Sequence, residues 1–527
     1  MVVASEPLAA EVGVEVLKAG GNAVDAAVAV GFALAVTHPE AGNIGGGGFM
    51  LIRLASGDSV AIDYREEAPA AAARDMYLDA NGSVVPDAST VGARAVGVPG
   101  TVAGLALAHK KYGKLPWKRL LQPAVRFAQK GFPVSYELSE SLRAEQELLS
   151  RFPETRRIFL PGGRPYEPGD KFRQKDLART LREIAKKGPD AFYRGRIARA
   201  IATTMAKQGG LVTLDDLRQY QARIRPPLRG EFRGYEILTV PPPSAGGVAL
   251  IEMLNVLEPV ELGAPSSFHS IRWIVETMRR AYADRAAFLG DADFVPVPVA
   301  GLTNKDYATR LRAEILRARP EVAVEAGRPG DFESAQTTHF SVVDAQGNAV
   351  ANTYTLNGSY GSGVAVAGAG FLLNNEMDDF TTKPSQPNMF GLLQGEANTI
   401  GPRKRPLSSM TPTIVLRDGK LRLVLGSPGG GTIMNTVLQV LLNSLVFQMD
   451  IRQAITAPRF HHQWMPDQLI LERWGFSADT IQKLQEAGYQ LVYRDRMGAC
   501  EAIELDPETG WRFGAADPRA GGKAVGY

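Results

Sequence analysis

The chain has 527 residues, 45% of them apolar and 22% charged, which describes a soluble globular protein long enough for two or three average domains. Fifty-nine Lys and Arg against 56 Asp and Glu leave a net charge of +3, and no long block of like charge appears, so neither a nucleic acid nor another polyanion is implied as a partner. The single cysteine, Cys500, excludes an intrachain disulfide framework and a thiolate metal cluster.

The start of the chain does not read as a signal peptide, because Glu6, Glu11 and Glu15 occupy the stretch that would have to be basic and then apolar. Ser5 to Lys18 reads as an amphipathic helix with Pro7 near its start and Gly20-Gly21 beyond its end, and Asn22 is placed to cap the next helix. The apolar run from Val24 to Val36 contains Asp25 and falls short of the roughly 20 residues that span a bilayer; it reads as a buried helix. It runs into Gly45-Gly46-Gly47-Gly48, where backbone must pass close to another group. Periodicity near 3.6 predicts further helices over Pro116 to Lys130, Lys175 to Lys187, Ile197 to Gln208, Ser267 to Leu289 and Asn304 to Arg317.

The segment from Glu325 to Gln336 is polar and rich in Gly and Pro, the composition of an exposed and easily cut loop. From Thr337 the pattern becomes strand, turn and strand, a β-hairpin with residues 344 to 348 as its loop. In that register Val343 faces Ala349 and Thr337 faces Thr355, with Cβ atoms about 4.5–5.5 Å apart on one face. By itself a cross-strand Thr pair is a sheet-stabilising contact of about 1 kcal/mol at most. His339 is placed to share the face, although a strand histidine is more often a packed structural one.

Further on, Asp418-Gly419 is a turn before a strand from Lys420 to Leu425, which feeds Gly426-Ser427-Pro428-Gly429-Gly430-Gly431 into an apolar helix from about Ile433 to Phe447. No Lys-Ser or Lys-Thr follows the last glycine, so this is not a phosphate loop. Glycines at a helix start leave backbone N–H groups free to hold a developing oxyanion.

Thr337-Thr338-His339-Phe340-Ser341-Val342-Val343-Asp344, with Thr353-Tyr354-Thr355-Leu356-Asn357, resembles the start of the small subunit of γ-glutamyltransferases. The same pattern continues in Leu372 to Phe380, Arg405 to Met410, Gly426 to Gly430 and Ala457 to His461, and upstream in Gly20 to Ala27 and Val98 to Val102. The resemblance implies an N-terminal-nucleophile hydrolase: a four-layer αββα sandwich of the α/β class with two mostly antiparallel central sheets. It further implies self-cleavage between Gln336 and Thr337, giving a large subunit of residues 1–336 and a small subunit of 337–527 that stay interleaved as one domain. The freed α-amine of Thr337, with an ordinary pKa of about 7.7–8.0, then takes the proton from its own hydroxyl.

On the same resemblance Arg65 grips the α-carboxylate of a γ-glutamyl donor, helped by Ser408 and Ser409. Glu376 and Asp379 take its α-ammonium, with Asn357 as a further polar ligand. Thr355 joins Thr337 in the catalytic group, and the amides of Gly429 and Gly430 form the oxyanion hole. Asp378 and Asp379 suggest a metal site only weakly, since no His or further carboxylate beyond Glu376 stands at ligand spacing. Neither metal nor cofactor is expected.

Lys383 to Gly395 resembles the lid loop that some relatives carry, with Phe390 where several bacterial ones have Tyr, which puts a lid hydrogen bond in doubt; Gly431 departs from the Ser or Thr common there. The implied reaction transfers the γ-glutamyl group of glutathione, or of related amides, to amino acids, dipeptides or water. A periplasmic or extracellular setting is implied as well. Two other readings stand beside this one: an acylase of the same fold acting on glutaryl-type amides, as cephalosporin acylases do, and a non-catalytic amino-acid or peptide-binding relative.

Overall fold

Every residue of the strand Gly47–Arg53 is buried, because its two faces meet different layers. Met50 and Ile52 pack into a core shared with helices, whereas Phe49 and Leu51 pack into a core between two sheets. This period of two recurs in Tyr235–Thr239, where Ile237 and Leu238 enter different cores, and in Lys420–Gly426, where Leu423 and Leu425 alternate with Val424. Burying a side chain of this size stabilises by about 1.5–3 kcal/mol. A one-residue slip would misplace every one of them, so the register is strongly specified.

In this computed structural model, which describes residues 1–317, 324, 337–384 and 386–527, the two sheets are seven- and six-stranded. The larger runs, in spatial order, Lys523–Val525, Val2–Ala4, Thr338–Val343, Ala349–Thr355, Gly47–Arg53, Ser59–Asp63 and Arg223–Arg225. The smaller runs Arg512–Ala516, Glu501–Leu505, Lys420–Gly426, Thr413–Arg417, Tyr235–Thr239 and Leu228–Phe232. All their ladders are antiparallel. Helices including Pro7–Lys18, Ala23–Thr37 and Trp117–Lys130 cover the larger sheet; Ala245–Leu257, Phe268–Phe288 and Ile433–Leu445 cover the smaller one. The result is the expected αββα sandwich. Each sheet takes strands from both sides of position 337.

Most helix boundaries fall within two residues of the sequence reading. The first helix starts at Pro7, not Ser5, because Val2–Ala4 is a strand and the Glu6 carboxylate caps the helix by accepting from the amides of Leu8 and Ala9. Asn22 caps Ala23–Thr37 through a reciprocal capping box with Asp25, and that helix is buried on every side. The loop expected over 325–336, and Gln336 with it, lies outside the described residues.

Candidate active site

The hairpin carries the proposed nucleophile. Val343 pairs with Ala349 and Thr338 with Tyr354, the expected register, and one step further the Thr337 hydroxyl donates to the Thr355 hydroxyl at 3.4 Å. That distance makes a weak bond. The Thr355 hydroxyl also accepts from the Asn357 amide at 2.8 Å. At the other end of the hairpin, Asp344 accepts from the amides of Gln346 and Asn348 and from the Ala23 amide at the start of the buried helix, which pins the loop to the helical layer.

The four-glycine run shows why it must be glycine. A Cβ on Gly46 would lie 1.9 Å from the Thr355 carbonyl oxygen, and one on Gly45 would lie 2.0 Å from the Leu372 carbonyl. The segment therefore lies directly against the backbone that carries Thr355. Asn374 completes the seam, donating to the carbonyls of Gly45 and Gly97 and accepting from the amides of Gly97 and Glu376.

His339 is structural, as the commoner reading of a strand histidine has it. It is fully buried, bonds Thr353 and Ser341 through its two ring nitrogens, and burial drives its pKa down to about 3. It also locates the glycine loop, because a Cβ on Gly426 would meet the imidazole at 2.4 Å, while Ser341 reaches the Val424 carbonyl. Residues 341 and 339 thus face 424 and 426, at the end of the strand that leads into the glycine loop. The chain turns there. Gly429 has a φ of 134° and Gly430 one of 50°, and the Thr432 hydroxyl and amide both close onto the Gly429 carbonyl. The amides of Gly429 and Gly430 have no acceptor among the described residues.

The charged part of the site centres on Arg65, which is fully buried. Its guanidinium pairs with Glu376 through one terminal nitrogen and with Asp379 at 2.5 Å through the other, and its Nε donates to the Pro406 carbonyl. The resemblance places Arg65 and the two carboxylates on opposite sides of a substrate; the structure joins them directly, since buried charges are stable only when paired. Glu66, to which the sequence reading gave no role, is equally buried, lies 3.7 Å from Arg65, and has no hydrogen-bonded partner for either oxygen among the described residues. Burial raises its pKa to about 7 and raises that of Glu376 well above the carboxylate range. Burial beside Arg65 thus pushes both Glu66 and Glu376 toward their protonated forms, while Arg65 keeps its charge. The sequence signal for Glu66 was its place next to Arg65 in Arg65-Glu66-Glu67.

The segment of Ser408 and Ser409 reaches the same place, since Arg65 donates to the carbonyls of Pro406 and Leu407. Ser408 Oγ accepts from the Met410 amide, and Ser409 Oγ accepts from Arg285 at 3.4 Å. Asn398 ties Asp379 to this segment, donating to the Asp379 carbonyl and accepting from the Leu407 amide.

Asn388 donates to Asp379 at 2.9 Å and accepts from the amides of Phe390 and Leu392. Asp378 accepts from Ser89 and from the Met389 amide, so it anchors the loop. The Phe390 ring is buried and apolar. Asn357 donates to the Asn375 carbonyl at 3.1 Å and to the Met389 sulfur at 3.5 Å, a contact supplied by the residue beside Phe390.

The family model described as Gamma-glutamyltranspeptidase matches residues 9–527. Over 525 residues, covering 99% of this chain and 90% of the relative, the sequence is 48% identical to a glutathione hydrolase proenzyme of Escherichia coli K12. Among solved structures, a cephalosporin acylase from Bacillus halodurans matches the whole chain and 95% of its own with a TM-score of 0.88 at 27% identity. Helicobacter pylori gamma-glutamyltranspeptidase matches 59% of this chain and 90% of its own with a TM-score of 0.58 at 47% identity.

Proposed function

The chain belongs to the gamma-glutamyltranspeptidase family, and on that footing we infer that it is a glutathione hydrolase and γ-glutamyltransferase working through Thr337. The observation that carries this reading is the pairing of Thr337 with Thr355 at one end of a site whose other end gathers Arg65, Glu376 and Asp379.

Maturation comes first. The Thr337 hydroxyl attacks the Gln336 carbonyl, the acyl group passes from nitrogen to oxygen, and water hydrolyses the ester. A large subunit of residues 1–336 and a small one of 337–527 result, held together because each sheet has strands from both.

In turnover the freed Thr337 amine accepts the hydroxyl proton as the oxygen bonds to the γ-carbonyl carbon of the donor. The Gly429 and Gly430 amides hold the oxyanion. As it collapses, the C–N bond breaks, the proton passes to the leaving amine, cysteinylglycine when the donor is glutathione, and a γ-glutamyl ester remains on Thr337. An acceptor amine or water then attacks the ester and restores the hydroxyl. Arg65 with Ser408 and Ser409 receives the donor α-carboxylate; Glu376, Asp379 and Asn357 receive its α-ammonium, so binding exchanges the internal ion pairs for pairs with substrate. The loop 383–395 acts as a lid with Phe390 as its apolar cover. A periplasmic or extracellular location belongs to the same reading.

The likeness to a cephalosporin acylase favours a second reading, hydrolysis of glutaryl-type amides. Such a donor has no ammonium to satisfy Glu376 and Asp379, which counts against it. The test is to compare γ-glutamyl and glutaryl p-nitroanilides on the mature protein, with Thr337→Ala as control. A γ-glutamyl preference of a hundredfold or more, lost in the control, is expected; a glutaryl preference overturns the reading.

A further inference from the structure

One cation beside the pocket has no established task. Arg285 lies in the last turn of the helix Phe268–Phe288 and is 1% exposed. One terminal nitrogen reaches Ser409 Oγ at 3.4 Å, while Nε and the other terminal nitrogen have no acceptor among the described residues. Buried guanidinium groups are normally forked onto a carboxylate or carbonyls, as Arg65 and Arg405 are here. The charges that act on Arg285 include Asp379 and Arg65, both of the γ-glutamyl pocket, and burial lowers its pKa. The helix delivers more than this side chain. One turn earlier Tyr282 donates to the carbonyl of Gly431, next to the Gly429-Gly430 loop, and one residue later the Ala286 carbonyl accepts from Gly395, at the end of the lid loop.

We propose that Arg285 is a positioning residue for the donor α-carboxylate. By donating to Ser409 Oγ it leaves that hydroxyl proton to be given to the carboxylate, and its unspent N–H groups supply the positive charge that Arg65, already divided between Glu376 and Asp379, supplies only in part. Arg285 is thereby a determinant of donor specificity in the reaction inferred above, on which this role rests.

The experiment compares two donors on wild-type, Arg285→Gln and Arg285→Lys proteins: γ-glutamyl p-nitroanilide and 4-aminobutyryl p-nitroanilide, which lacks only the α-carboxylate. Where the second is not turned over, its Ki against the first is measured. Arg285→Gln is expected to raise KM for the γ-glutamyl donor about ten- to a hundredfold, the range of a hydrogen bond to a charged group. In the same variant kcat stays within about threefold and the 4-aminobutyryl value within about threefold. Arg285→Lys keeps the charge and should recover more than half of the loss on a logarithmic scale. An equal loss on both donors, no loss on either, or failure of both variants to fold and mature assigns Arg285 to the fold and overturns the proposal. Failure of the underlying reading is separate, because it appears as a wild-type protein that does not act on the γ-glutamyl donor.

Discussion

At the Thr337 end of the site the interacting groups are neutral hydroxyls and backbone amides, and the partners lie near each other in sequence: Thr337 and Thr355 are 18 residues apart. At the Arg65 end the groups are ionisable and buried, and the partners Glu376 and Asp379 lie 311 and 314 residues away. Strand register positions the first set, and register is fixed by the burial of whole strand faces, so no single polar contact has to hold the geometry. Mutual neutralisation positions the second, and a buried charge that loses its partner is left uncompensated. Substitutions at the nucleophile end should therefore act on rate with little effect on donor binding. Substitutions in the charged pocket should act on donor binding and on stability together.

The largest effect expected is that of Thr337→Ala, which removes the attacking oxygen. No cleavage should be visible on a denaturing gel, and anilide hydrolysis should fall by about 10⁴-fold or more. Next, Gly429→Ala places a side chain at a φ of 134° with its Cβ 2.3 Å from Thr432 Oγ1. The loop must turn its amides, and kcat should fall about 10²–10³-fold with KM nearly unchanged; a comparable rise in KM would erase the contrast between the two regions. Asp379→Asn takes one anion from Arg65 and from the donor ammonium, so KM should rise about ten- to a hundredfold with a lowered melting temperature.

Glu66 gives a pH signature. Burial raises its folded-state pKa to about 7 from an ordinary value of 4.5, so the folded protein binds this proton more tightly than the unfolded chain. The associated stability is fully present below about pH 4.5 and is lost as pH rises through about 7, a change of about 3 kcal/mol at most. Glu66→Gln should flatten the melting temperature between pH 5 and 8, and an unchanged slope would show that the proton resides elsewhere. The smallest effect belongs to Phe390→Tyr. Since Asn357 already meets the Met389 sulfur, an added hydroxyl should change donor kcat/KM by less than about threefold, while the ratio of transfer to hydrolysis, measured with and without glycylglycine as acceptor, shifts measurably.

The same contrast separates what was legible in the sequence from what was not. Val343 opposite Ala349, and hence Thr337 opposite Thr355, followed from counting along two β-branched runs, because period and loop length are local properties. Asn22 as a cap and a close approach at Gly45-Gly46 were readable for the same reason, although what the glycines approach was not. The meeting of Arg65 with Glu376 and Asp379 was not: no spacing links residues more than 300 positions apart, and only resemblance to a family brought them together. Even that resemblance left their direct ion pairing unexpressed, along with the roles of Glu66, Asp378 and Asn388. Arg285 lies inside the helix expected over Ser267 to Leu289 and drew no reading of its own. Only its burial and its unspent donors distinguish it.

The central claim is that Thr337 becomes an N-terminal nucleophile, and intact mass with N-terminal sequencing of the purified protein tests it most directly. The account predicts two fragments, the smaller beginning Thr337-Thr338-His339, whose masses sum to that of the 527-residue chain plus one water. A single uncleaved chain, or a cut at any other bond, would leave Thr337 without its amine and contradict the mechanism.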